Sequence, residues 1–183
     1  MAHYGAAVEY ALHTLLNLSN VPAGVTPSAR DLAEFQRLPT PFMRKQLTQL
    51  ARAGLVSGAE GVRGGWQLAR PPQEISLLEI ADAVHEGGPL FECRNIRARC
   101  ALWDDAHPPA AATSGVCSIH RAMLEAEAAM RRSLAGRSLA QIAEEVQAKS
   151  SQAAMASVAA WFTERYATRR PPRATRRKEG PDA

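Results

Sequence analysis

Apolar residues at Tyr4, Val8, Ala11, Leu12, Leu15, Leu16 and Leu18 recur with a helical period and predict an amphipathic helix over residues 4–20. The stretch "NVPAGVTP" breaks it. Ser28 is placed to cap a short helix ending at Phe35, with Leu32, Ala33 and Phe35 apolar. After the turn "RLPTP", Thr40 as N-cap and Pro41 as first helical residue predict a third helix to about Ala53, closed by Gly54. Leu47, Leu50 and Leu55 are its expected core residues. Two short apolar stretches, Leu55–Val56 and Trp66–Leu68, flank a glycine-rich turn and predict a β-hairpin.

Beyond "PPQE", Ser76 caps a predicted helix over 77–84 that presents Leu77, Leu78, Ile80, Ala81 and Val84 on one face. Residues 86–114 lack periodicity and are expected as loop. A long Ala- and Met-rich helix follows to about Leu134, then an amphipathic helix over 138–148. Trp161 and Phe162 suggest one last docked turn, and the Arg/Pro-rich segment after Ala167 is expected to be disordered. The expected fold class is mainly α with a small β-hairpin. It divides into a helix-turn-helix unit with a hairpin wing (1–88), a loop (89–117), a long helix and return helix (118–150) and an extension (151–183).

Three helices followed by a hairpin are the order of a winged helix-turn-helix. A helix fits the major groove with its N-terminal residues towards base edges, and the hairpin reaches phosphates beside it. The expected base-facing end is Thr40, Pro41, Phe42, Arg44 and Lys45. Arg37 and Arg52 are expected at phosphates, and Arg63 lies in the wing. Such units also serve as protein-docking modules; DNA binding is the favoured reading.

Composition refines this picture. The 183 residues are 46% hydrophobic and 22% charged, as in globular chains generally. No run approaches the roughly 18 apolar residues of a membrane span, and the start "MAHYGAAVEYALH" lacks the basic region of a secretory leader, so a cytoplasmic protein is expected. The formal net charge is +4, but residues 169–183 hold six Arg and Lys against Glu179 and Asp182, leaving the preceding 168 residues formally neutral. DNA affinity of the folded part must therefore come from a local patch. No P-loop, dinucleotide fingerprint or nucleophile–base pair is present, so enzymatic activity is not expected. The odd count of cysteines, Cys93, Cys100 and Cys117, excludes complete intrachain pairing. Metal binding, redox chemistry or plain burial remain for them.

The stretches "LTQLARAGLV", "GGWQLARPP" and "ISLLEIADAV" resemble the Rrf-type winged-helix regulators, over about residues 3–148. That family includes iron–sulfur sensors of the IscR, NsrR, RirA and RsrR types. The resemblance implies a homodimer, paired through the long helix near 118–134, that reads a pseudo-palindromic operator in double-stranded DNA. Two departures stand out. Where family members commonly begin the recognition helix Ser-x-Ser-Tyr-Leu, this chain has Pro39-Thr40-Pro41-Phe42-Met43, so the operator sequence does not transfer. Glu60 occupies a wing-tip position that is basic in some members, with Arg63 nearby to compensate.

The resemblance also implies that the cysteines hold an iron–sulfur cluster, since thiolates are the soft ligands such clusters require. Two sets of completing ligands compete. One joins Cys93, Cys100, Cys117 and His120, as in the IscR type. The other joins Cys93 and Cys117 to Glu9 and His13, which sit four residues apart on one helix face, as in the RsrR type, where first-helix ligands meet the other subunit's cysteines. "VEYALH", "FEC", "IRAR" and the long Cys93–Cys117 loop favour the second set and a 2Fe-2S over a 4Fe-4S cluster. By pattern alone Glu9 and His13 read as a surface ion pair. The implied function is a DNA-binding regulator whose cluster senses redox, nitric oxide or iron status. The alternative is a cluster-free regulator of the same family answering to a small metabolite or a partner protein.

Overall fold

The computed structural model describes residues 4–59, 64–85, 88–99, 101–104 and 106–169. The element order is α1 (Ala6–Asn20), α2 (Ala29–Phe35), α3 (Thr40–Arg52), β1 (Val56–Ala59), β2 (Gly65–Leu68), α4 (Leu77–Val84), α5 (Ala110–Thr113), α6 (Ser118–Ala135), α7 (Leu139–Lys149) and α8 (Gln152–Thr168). One core joins Val8, Leu15 and Leu18 of α1, Leu32 of α2, Met43, Leu47 and Leu50 of α3, Leu55, Ile75, Ile80 of α4, Leu139 of α7 and Phe162 of α8.

Local chemistry sets the helix ends. Ser28 accepts the Asp31 N–H through Oγ at 3.2 Å, while Asp31 accepts the Ser28 N–H at 2.8 Å. Ser76 with Glu79 and Ser138 with Gln141 form the same reciprocal boxes at α4 and α7, each satisfying two otherwise unpaired amides. α2 and α3 both end on a left-handed residue. After α2, Arg37 (φ 54°) donates to the Glu34 carbonyl and Leu38 to that of Ala33; after α3, Gly54 (φ 68°) donates to Ala51 and Leu55 to Leu50. The second closure turns the chain so that Leu55 enters the core opposite Leu50.

Two expectations are corrected. Thr40 is the first residue of α3 and not its cap: the N-cap is Pro39, which lacks a capping side chain, and Pro41 occupies the second position. Proline tolerates both places because the early amides of a helix have no intrahelical acceptor. Trp161 and Phe162 belong to a 17-residue helix and not to a single turn. Its alanines dilute any apolar stripe, so periodicity gave no sign of it.

The antiparallel hairpin pairs Val56 with Leu68, Ser57 with Gln67, Gly58 with Trp66 and Ala59 with Gly65. Its base is seated on the α1–α2 connection, where Trp66 donates to the Pro27 carbonyl at 2.8 Å. A Cβ on Gly65 would lie 2.1 Å from the Thr26 carbonyl oxygen, so only glycine permits this approach. The α4 and α7 entrances are tied by paired backbone bonds, Leu77 N–H to Arg137 and Leu139 N–H to Ile75.

Candidate nucleic-acid interface and cysteine pocket

α3 buries Met43, Gln46, Leu47 and Leu50 and turns Pro41, Arg44, Lys45 and Thr48 to solvent. Arg44 and Lys45 therefore occupy one outward face near the N-terminal end, as a groove-reading helix requires. Arg37 is exposed in the turn before α3, and Arg52 is exposed in its last turn. Thr40 is half-buried. Phe42 is half-buried too, its ring edge-on to Tyr10 at 5.8 Å, so it braces α3 against α1. Arg63, with Glu60, lies outside the described residues.

Gln46 makes a link that sequence reasoning passed over. Its side chain is 2% exposed and donates from Nε2 to the Ala7 carbonyl at 2.8 Å, joining α3 to the start of α1. A glutamine on a helix carries no pattern announcing such a partner 39 positions away.

Cys93 and Cys117, 24 positions apart, line one cavity of about 310 Å³ together with Phe91, Ile96, Arg97, Ile119 and His120. Cys117 is the N-cap of α6, and the amides of His120 and Ile119 hold its thiol below the ordinary value, with a smaller contribution from the Arg97 cation. Arg97 gathers this region: its guanidinium donates to the carbonyls of Thr113, Ser114 and Gly115, clamping the segment before Cys117 onto the turn after Cys93. No local pattern in the sequence marks that arginine. The loop otherwise holds a 3-10 turn at Ile96–Arg99 and the four-residue α5. Cys100 lies outside the described residues.

Glu9 and His13 are exposed and line a different groove, of about 520 Å³, walled by Val8 and Leu12 of α1, Leu77 and Ala81 of α4 and Leu134 of α6. Among the described residues of one chain, no three His, Cys, Asp or Glu side chains come together to hold a metal. A single chain thus presents two thiols in one place and a carboxylate with an imidazole in another. As a donor set these suit an iron–sulfur cluster only if two chains combine, or if Cys100 and His120 complete the site within one.

The sequence matches the Rrf2 family, described as iron-dependent transcriptional regulators, over residues 4–145. An HTH-type transcriptional regulator of Mycobacterium tuberculosis is 33% identical over 138 residues, covering 75% of this chain and 79% of that protein. The chain belongs to the Rrf2 family. An HTH-type regulator of Synechocystis is 43% identical over 78 residues, or 43% of this chain, so the match spans about half, 53%, of that relative's length. IscR of Cereibacter sphaeroides is 37% identical over 80 residues, which is 43% of this chain and 52% of that protein. Among solved structures, CymR, the global cysteine regulator of B. subtilis, shares the fold with a TM-score of 0.61 at 16% identity, over 79% of this chain and 98% of that one. IscR of T. potens shares it with a TM-score of 0.59 at 20% identity, over 83% and 94%. The winged-helix, mainly α fold expected from the sequence is therefore the fold of Rrf2 regulators. This Rrf2 chain is a DNA-binding transcriptional regulator and not an enzyme. Among the described residues no helix is long and apolar enough to cross a membrane.

Proposed function

We propose that the protein binds its operator as a homodimer, through Arg44 and Lys45 of α3 with Arg37, Arg52 and Arg63 at phosphates, under the control of an iron–sulfur cluster. The cluster's ligands are Cys93 and Cys117 of one chain and Glu9 and His13 of the other. The observation that carries this reading is the division of donors: the two thiols share one cavity, and the carboxylate and imidazole share a separate groove of the same chain. Dimer formation is supported by α6, which buries no residue within the chain although Ile119 and Leu124 are 69% and 45% exposed. Ile96, which lines the cysteine cavity, is 70% exposed, and Val116, next to Cys117 in the chain, is 52% exposed, as suits a surface that a second chain covers.

Such a cluster supplies one-electron redox chemistry. The chain's own residues supply the coupling: Glu9 and His13 project from α1, and Gln46 fastens the same helix to α3. A change in what Glu9 and His13 bind would shift α1, and α3 with it, which alters the spacing of two recognition helices. Anaerobic purification followed by an absorbance spectrum, iron and sulfide assays and sedimentation tests the reading. A coloured dimer with about two irons per chain is expected. A colourless, iron-free protein that still binds its operator would favour the cluster-free alternative.

A further inference from the structure

The family match ends at residue 145, so α8 lies beyond it, yet α8 is fastened to the helix-turn-helix. Phe162 is 1% exposed within the common core, its ring 4.9 Å from that of Phe35 in α2. Arg165, stacked 3.9 Å over Trp161, pairs with Glu34 of α2 at 2.6 Å. Arg169, the C-cap of α8, pairs with Asp31 of α2 and donates to the Gly64 carbonyl at 2.7 Å. Gly64 immediately precedes β2. Of the two arginines, among the described residues, Arg169 is the one that bonds to the wing.

The Arg169 joint is built to hold. Its side chain and that of Asp31 are only 16% and 12% exposed, so little water screens the pair. Separate nitrogens serve the two acceptors, Nη1 for Gly64 and Nη2 for Asp31, with the guanidinium 5.5 Å from the Tyr166 ring. Asp31 is itself fixed, since it completes the α2 capping box by accepting the Ser28 amide and hydroxyl at 2.8 and 2.7 Å. The start of β2 is thus tied to the body at two points, through Trp66 on the Pro27 carbonyl and through Gly64 on Arg169. We infer that Arg169 is a positioning residue for DNA binding, which fixes the direction in which the wing leaves the helix-turn-helix so that wing and α3 meet one duplex together. A wing pinned beforehand loses less conformational freedom when DNA binds. Arg169, neutralised by Asp31, acts through the wing and not on the duplex. The inference rests on the wing facing DNA as proposed above.

The test compares the full chain with Arg169→Gln, Arg169→Lys and Arg165→Gln. Affinity is measured for a duplex that the wild-type chain selects from random-sequence DNA, with amide hydrogen exchange of β1 and β2 alongside. Arg169→Gln leaves Asp31 its Ser28 partners, so α2 stays capped. A lysine keeps the charge but not the two-pronged fork. Both Arg169 variants should lose about tenfold in affinity, the scale of one lost charged contact, and their hairpin amides should exchange faster. Arg165→Gln detaches α8 from Glu34 without touching Gly64, so affinity and hairpin exchange should stay within about twofold of wild type whatever happens to melting. Full affinity in Arg169→Lys would assign the effect to charge alone and overturn the positioning role. Equal losses in Arg165→Gln and Arg169→Gln would overturn it too, because the attachment of α8 as a whole would then be responsible. Unchanged affinity in Arg169→Gln, beside normal wild-type binding, would overturn it while leaving the docking of α3 and the wing standing. A wild-type chain that selects no duplex would fail the underlying reading, and the inference with it.

Discussion

Gln46 donates from its buried side chain to the main-chain carbonyl of Ala7 at 2.8 Å, bridging α3 and the start of α1. Among the described residues its amide oxygen has no hydrogen-bond partner. Gln46→Met therefore loses one bond but also removes an unpaired buried oxygen, and stability should change by less than about 1 kcal/mol. Gln46→Glu places a carboxylate where only a carbonyl faces it and should cost about 2 kcal/mol or more at neutral pH. Denaturant titration of the two variants checks the order; equal losses would mean that the site does not penalise a buried carboxylate.

Arg37 sits in the turn with φ 54°, a conformation glycine adopts without penalty. Arg37→Gly should raise stability by about 0.5 kcal/mol and weaken operator binding, because a candidate phosphate contact leaves. Arg44→Ala with Lys45→Ala should weaken operator binding at least about 100-fold without moving the melting temperature, since both residues are exposed. Normal binding by that double variant would show that α3 does not enter the groove by this face.

Gly65→Ala is expected to displace the wing, because the new methyl would meet the backbone oxygens of Thr26 and Pro27 at 2.1 and 2.7 Å. Neither oxygen can rotate away as a side chain could. A loss of about 2 kcal/mol in denaturation and a parallel loss of DNA affinity should follow. Gly58→Ala, whose Cβ would sit 3.9 Å from the Trp66 ring, serves as the tolerated control.

Glu79 carries the clearest acid dependence. The Ser76 amide, followed by Arg70, holds its carboxyl down at about 2, against an ordinary 4.5. Its contribution is whole above about pH 4.5 and fades as acid takes the pH from there towards 2. Because the side chain is 44% exposed, solvent screens the pair, and the contribution at neutral pH is about 1 kcal/mol. Glu79→Gln should flatten the stability profile across that window; an identical profile in both proteins would assign the acid sensitivity elsewhere.

The ligand sets separate by substitution. With Glu9 and His13 completing the cluster, His13→Ala should bleach or shift the spectrum of anaerobically purified protein, and Cys100→Ala should leave it nearly unchanged. With the other set, Cys100→Ala and His120→Ala do the damage and His13→Ala is silent. A four-iron site held by the three cysteines, with Glu9 as fourth ligand, would show itself by sensitivity at Cys100 and Glu9 and by about twice the iron per chain.

Much of this architecture was legible along the chain because it is written in local terms. Ser28, Ser76 and Ser138 announce three helix starts, Gly54 announces an end, and the spacing of Leu47 and Leu50 announces a buried face. Capping and periodicity act over three or four residues, which is the range that sequence inspection covers. Of the residues expected at a groove-facing end, Pro41, Arg44 and Lys45 are exposed, while Thr40 is half-buried and the Phe42 ring packs against Tyr10.

Only the tertiary structure decided the rest, since it depends on partners far apart in the chain. An alanine-rich α8 has no stripe to betray it, yet Phe162, Arg165 and Arg169 find α2 and the wing more than a hundred residues earlier. Arg97 reaches three carbonyls that nothing in its neighbourhood foretells. Glu9 and His13, adjacent on α1 by helical spacing, face a groove apart from Cys93 and Cys117. Spacing determines which donors share a helix; the packing of distant elements determines which of them share a cavity.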